Sequence, residues 1–142
     1  MRWPRWLVRL IPRLAPKASW GDVVLERNNG YLDLCEALYD DVVRRIRWVR
    51  PDAIRMPRFS RRLYLLDAPL LPAPYTGRWG VAFPQHADGG NPGGNVVILK
   101  RYRDNPDLLS HEFAHLITGI TDHPDWLFAS DGISLALPRE AP

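Results

Sequence analysis

Between Tyr31 and Val49 apolar residues recur at three- and four-residue steps: Leu34, Leu38, Val42 and Ile46, with Cys35 and Val49 beside them. That period puts them on one face of an amphipathic helix. Asp33 reads as its N-cap, with Glu36 three residues on. Arg44, Arg45, Arg47 and Arg50 bring positive charge to the end where the helix dipole favours it, and Pro51 stops the helix. Three apolar runs then read as strands: RRLYLLDAP (61–69), GRWGVAF (77–83) and NVVILK (95–100). The last is the clearest because it is β-branched. Between the second and third lies PQHADGGNPGGN, too rich in Gly and Pro for regular structure. It is either a mobile loop beside a site or a plain surface loop. It lacks the Gly-x-x-x-x-Gly-Lys pattern, so it has no phosphate-binding role.

DNPDLLSHEFAHLITG predicts a helix over 106–118. Asp104 or Asn105 can cap it, Pro106 suits the first helical position, Asp107 lies in the first turn, and Gly119 ends it. The tail predicts a short helix around 124–129 and an apolar stretch at 133–137. A long helix packed on a sheet, followed by a second helix, makes an α+β domain. It spans residues 21–142, with residues 1–20 as a separate basic, Trp-rich arm, and no internal repeat appears.

That arm, MRWPRWLVRLIPRLAPKASW, alternates arginines with Trp and Leu at roughly helical spacing, and its prolines keep any helix short. Arginines interrupt its apolar stretch and no clean small-residue cleavage site follows, so it does not read as a secretory signal. It can fold back on the domain, dock on a protein partner through residues 1–18, or lie on a membrane surface. The net charge is +3, with the positive excess in the first half of the chain and a negative excess in the second. A basic half can face nucleic acid, an anionic surface or an acidic partner. No apolar run approaches the ~20 residues of a membrane-spanning helix. The single cysteine, Cys35, excludes an internal disulfide and reads as a small buried residue. The expected setting is cytoplasmic, or inside an assembled particle.

The chemistry concentrates in SHEFAHLITGITDHPDW (110–126), which holds three of the four histidines. His111 and His115 lie one turn apart on the predicted helix, so both imidazoles leave the same face. Two histidines at that spacing can hold one Zn²⁺, and Glu112 beside the first can act as general base: the His-Glu-x-x-His arrangement of zincin metallopeptidases. A catalytic zinc needs a third protein ligand. Asp122, His123, Asp125, Asp131 and Glu140 follow His115, and His123 is preferred because Gly119 lets the chain turn back. Asp122 can orient a ligand histidine or cap the next helix.

HEFAH, a short linker and then HPDW resemble the SprT-like and Spartan-type zinc metalloproteases over about residues 95–128, with Pro124 where that family usually has glycine. The metzincin and gluzincin spacings fit less well. The resemblance implies that His123 is the third ligand. It also implies a small zincin-like fold, a long helix and a small mixed sheet packed on the active-site helix, with an edge strand above that helix. NVVILK is expected to be that strand, able to accept an extended peptide. Tyr102, Tyr75, His86 and Arg103 are possible oxyanion or substrate contacts. The expected activity is zinc-dependent hydrolysis of a peptide or protein substrate. The alternative is a structural or docking protein, such as a component of a phage particle, on a zincin frame with a structural or vestigial metal. Nucleic-acid-linked proteolysis, which the Spartan-type likeness implies, has only the basic half behind it.

Overall fold

The computed structural model describes residues 29–59, 63–71, 75–84 and 95–139. The arm at 1–20, His86 and Glu140 lie outside them. Helix α1 runs Asn29–Val49 and helix α2 Pro106–Thr118. Strands β1 (Leu63–Leu66), β2 (Gly80–Phe83) and β3 (Asn95–Leu99) form a mixed sheet in the order β1-β3-β2. β3 is parallel to β1 and antiparallel to β2. The chain is thus α+β, as its pattern predicts.

Side-chain alternation divides the sheet between two apolar layers. Leu63, Leu65, Val96, Ile98 and Ala82 face the helices, where Tyr39, Val42, Ile46, Phe113 and Ile117 meet them. Tyr64, Val97, Leu99, Val81 and Phe83 face the other way, onto Leu71 and Tyr75. Val96 to Leu99 are therefore buried on both faces, which suits the central position in a sheet. NVVILK is not the edge strand expected above the active-site helix. That place belongs to β2, which packs against α2 while its outer edge carries no strand among the described residues.

The long helix is also rotated from its expected face. Tyr31, Cys35, Tyr39, Val42, Val43 and Ile46 are buried, while Leu34 and Val49 are exposed. At 3.6 residues per turn Leu34 sits about 100° from the centre of this face. The phenol of Tyr39 makes it a core residue because it reaches a partner, donating to the Met56 carbonyl at 2.7 Å. Asp33 is not the cap, since the helix already includes Asn29. Arg45 does more than meet a dipole: it donates to the carbonyls of Leu137 and Pro138 at 2.9 and 3.0 Å and ties the tail to α1.

α2 follows its local code closely. The Asn105 side chain accepts from the amides of Asp107 and Leu108, Pro106 opens the first turn, and Gly119 ends the helix at φ 72°. Residues 108–118 are all buried. The helix therefore runs between the sheet and α1 on one side and the tail on the other. The tail holds no helix at 124–129. Residues 125–127 form a turn closed by amides onto the Pro124 carbonyl, and Phe128 then bridges Leu135 in an antiparallel pair. Pairing wins because Ala129 and Ala136 bond back across it, to Ser134 and Leu127.

Phe113 is fully buried between Tyr39 and Phe59, each ring 5.2 Å away. Phe113→Ala should cost about 3–5 kcal/mol. A shift of the denaturation midpoint at unchanged slope measures it.

Candidate metal centre

α2 carries His111 and His115 one turn apart, and both are buried. Past the left-handed Gly119 the chain reverses, and within four residues His123 returns to them. The Nε2 of His111 lies 3.3 Å from that of His115 and 3.2 Å from that of His123. One ligand atom from each of the three lies within 4.8 Å of the others. The sequence brought these three residues together correctly.

Their tautomers follow from their partners. His111 Nδ1 meets the Ile133 carbonyl at 2.9 Å, and His115 Nδ1 meets the Ile120 carbonyl at 2.7 Å. A carbonyl only accepts, so both Nδ1 atoms carry hydrogen and both Nε2 atoms of the neutral rings present lone pairs. Those lone pairs face each other without a proton between them, which a cation at their centre would relieve. Tetrahedral coordination at ~2.0–2.1 Å per bond separates two nitrogen ligands by about 3.3–3.4 Å. Two of the three pairs already have that spacing.

Burial keeps the rings neutral. It pushes His111 and His123 below the usual imidazole range and His115 down to about 4. For His111 and His115 the carbonyl bonds oppose this without reversing it. A neutral imidazole is the ligand form. Phe128 packs on all three rings, with centroids 4.6, 4.7 and 4.9 Å away, and closes the centre from behind.

Glu112 stands beside the cluster, its Oε1 3.8 Å from His111 Nε2. Its Oε2 is buried and has no hydrogen-bond partner. Desolvation raises the carboxyl to about 8, with Arg78 opposing. A buried oxygen without a partner next to three converging imidazole nitrogens fits a group that completes both. Gly80 of β2 lies beside this carboxyl: a Cβ there would crowd β3, 3.1 Å from Ile98 Cγ1 and 3.3 Å from the Val97 carbonyl, and would touch Glu112 Cγ at an ordinary 3.5 Å.

A cleft of about 300 Å³ opens over these groups. Arg78, Trp79 and Gly80 form one wall, Gly132 and Ile133 the other, and His111, Glu112 and His123 the floor. Tyr75, Tyr102 and Arg103 do not line it. Tyr75 is in the second apolar layer, Tyr102 stacks on Trp79 with centroids 4.4 Å apart, and Arg103 pairs with Asp104 at the surface. Sequence reasoning missed Arg78, Phe128 and the Ile133 carbonyl. The Ser-Asp-Gly turn at 130–132 was the available signal for the last of these. Asp131 in that turn accepts from the amides of Ile133 and Ser134, each at 2.8 Å, and so sets the carbonyl that holds His111.

Comparison with protein-family models, curated proteins and solved structures gives no match to this chain. The geometry alone establishes three histidines able to hold a metal ion, two on a His-x-x-x-His helix and His123 beyond its end.

One divalent ion per chain is the expected stoichiometry. Asp131→Ala should weaken its affinity about tenfold by loosening the partner of His111. Competition with a chelator reads this, and unchanged affinity would separate the turn from the metal centre. For the metal-free chain the Glu112 carboxyl, raised from 4.5 to about 8, gives a signed pH dependence. Its contribution is fully present below pH 4.5 and is lost as pH rises through 8. Denaturation of metal-free protein should therefore show Glu112→Gln gaining stability relative to the native chain from pH 6 to pH 9.

Proposed function

We propose that this chain is a zinc-dependent peptidase, with His111, His115 and His123 as metal ligands and Glu112 as general base. The observation that carries the reading is the convergence of three imidazoles beside a buried carboxylate oxygen that has no partner, on the floor of an open cleft. Three neutral imidazoles, two pairs of them at tetrahedral spacing, suit zinc, and a cleft above them leaves a fourth position for water and substrate. A second support is the likeness of HEFAH and HPDW to the SprT-like and Spartan-type enzymes, with the short return from His115 to His123.

When bound, zinc supplies a Lewis acid for the scissile carbonyl and brings the pKa of water near neutrality. Glu112 takes the proton of the attacking water and delivers it to the leaving amine nitrogen. The Ile133 and Ile120 carbonyls keep His111 and His115 in the ligand tautomer and orientation throughout. The outer edge of β2, beside the cleft, offers main-chain groups to an extended peptide, which would lie across the floor at Glu112. Gly80 lies beside the carboxyl at that crossing.

The docking alternative rests on residues 1–18, outside the described residues, and no described contact favours it. No described helix is long and apolar enough to cross a membrane.

Glu112→Gln should keep one zinc per chain and lose peptide hydrolysis by at least about 10²-fold, the low end for a positioned base. Elemental analysis and a quenched-fluorescence peptide assay on the same preparation test both halves. Full activity in the variant would remove Glu112 from the chemistry, and absence of hydrolysis in the zinc-loaded native chain would end the peptidase reading.

A further inference from the structure

We infer that the cleft selects peptides bearing an acidic side chain, and that Arg78 is the residue that reads it. The inference takes its occupant, an extended peptide, from the peptidase reading above.

Strand alternation determines where Arg78 points. Ala82 belongs to the layer that faces the helices and Gly80 lies against Glu112, while Val81 and Phe83 belong to the opposite layer. Pairing extends one residue before β2, since the Leu99 amide donates to the Trp79 carbonyl at 2.9 Å. Arg78, two residues before Gly80, therefore emerges on the α2 side and lines the cleft. Trp79 belongs to the other face, stacked on Tyr102 at an interplanar angle of 16°. That stack and the Trp79 carbonyl bond fix the backbone from which Arg78 projects.

Arg78 is exposed and, among the described residues, has no salt-bridge partner; its guanidinium lies over the Tyr75 ring, 5.9 Å from the centroid. It is the only cationic side chain among the described residues lining the cleft. It shares the lining of the cleft with His111, Glu112 and His123. The opposite wall, Gly132 and Ile133, brings no competing charged side chain, so an acidic side chain of a bound peptide is drawn to the guanidinium on the β2 side. The planar guanidinium can take its carboxylate with two parallel N–H bonds.

The test measures binding, so that it does not depend on turnover. Zinc-loaded full-length Glu112→Gln protein is titrated into labelled peptide pairs that differ only as Glu or Gln at one position, scanned along the peptide. At one position the Glu peptide should bind about fivefold tighter, the size of a favourable exposed ion pair. Arg78→Gln in the same background should abolish the difference, and Arg78→Glu should shift the preference to Lys, with one zinc per chain retained in both. Equal affinity at every position overturns the inference, as does failure to bind any peptide. A Glu preference that survives Arg78→Gln also overturns it, because the carboxylate is then going to the metal. Cleavage of the same peptides by the native chain is scored separately. Charge-selective binding without cleavage would sink the peptidase reading and leave Arg78 standing, and cleavage with charge-blind binding would do the reverse.

Discussion

The Nε2 lone pairs of His111 and His115 face each other 3.3 Å apart, and the surrounding fold holds both rings in place. They are locked from behind by carbonyls that accept from Nδ1, at Ile133 and Ile120. Phe128 packs against both rings and against the exposed His123 that completes the cluster. The cluster therefore couples α2, the reversal at 119–123 and the tail at 128–133. A ligand that satisfies the centre binds the folded chain and not the unfolded one, so its binding free energy adds to folding free energy.

This explains how a helix can bury Ser110, His111, Glu112, His115 and Thr118 among apolar residues. Each polar group needs a partner at that depth. Thr118 donates to the Ala114 carbonyl and accepts from the Ile120 amide, and the Ile117 carbonyl accepts from both Arg55 and Met56. The histidines use the two loop carbonyls. Glu112 Oε2 is left over. Among the described residues it is the buried side-chain oxygen without a hydrogen-bond partner, and it lies beside the histidine cluster.

What could be read from the sequence was what is local. The capping of α2 by Asn105, its stop at Gly119 and the one-turn spacing of His111 and His115 are encoded within a few residues of each other, and all appear as expected. His123 was reachable because a left-handed glycine so near the helix end forces a return. The phase of α1 was less legible: apolar period alone favours Leu34, whereas Tyr39 is buried through a hydrogen bond to Met56, 17 residues away. The tail pattern suggested a helix because pairing of Phe128 with Leu135 depends on the Asp131 turn, not on propensity. Arg78 had no local signature, and the Ser-Asp-Gly turn at 130–132 marked a bend without marking which carbonyl in it meets His111. A backbone carbonyl is the same at every residue, and only tertiary packing selects the one that meets a histidine.

The most apolar strand was the wrong choice for the cleft wall, and the reason bears on function. A strand buried on both faces is drawn to the middle of a sheet, where its main chain is fully paired and has nothing to offer a substrate. The strand that meets a substrate must keep one row of amides and carbonyls free and must lie close to the base. β2 keeps its outer edge free of any described strand and packs against α2, with an arginine and a tryptophan just before it that both line the cleft. The tryptophan stacks on Tyr102, and the arginine, over the Tyr75 ring, has no carboxylate partner among the described residues. What equips this strand as a wall is its place at the edge and the charge that precedes it, while Val81 and Phe83 still bury their side chains in the second layer.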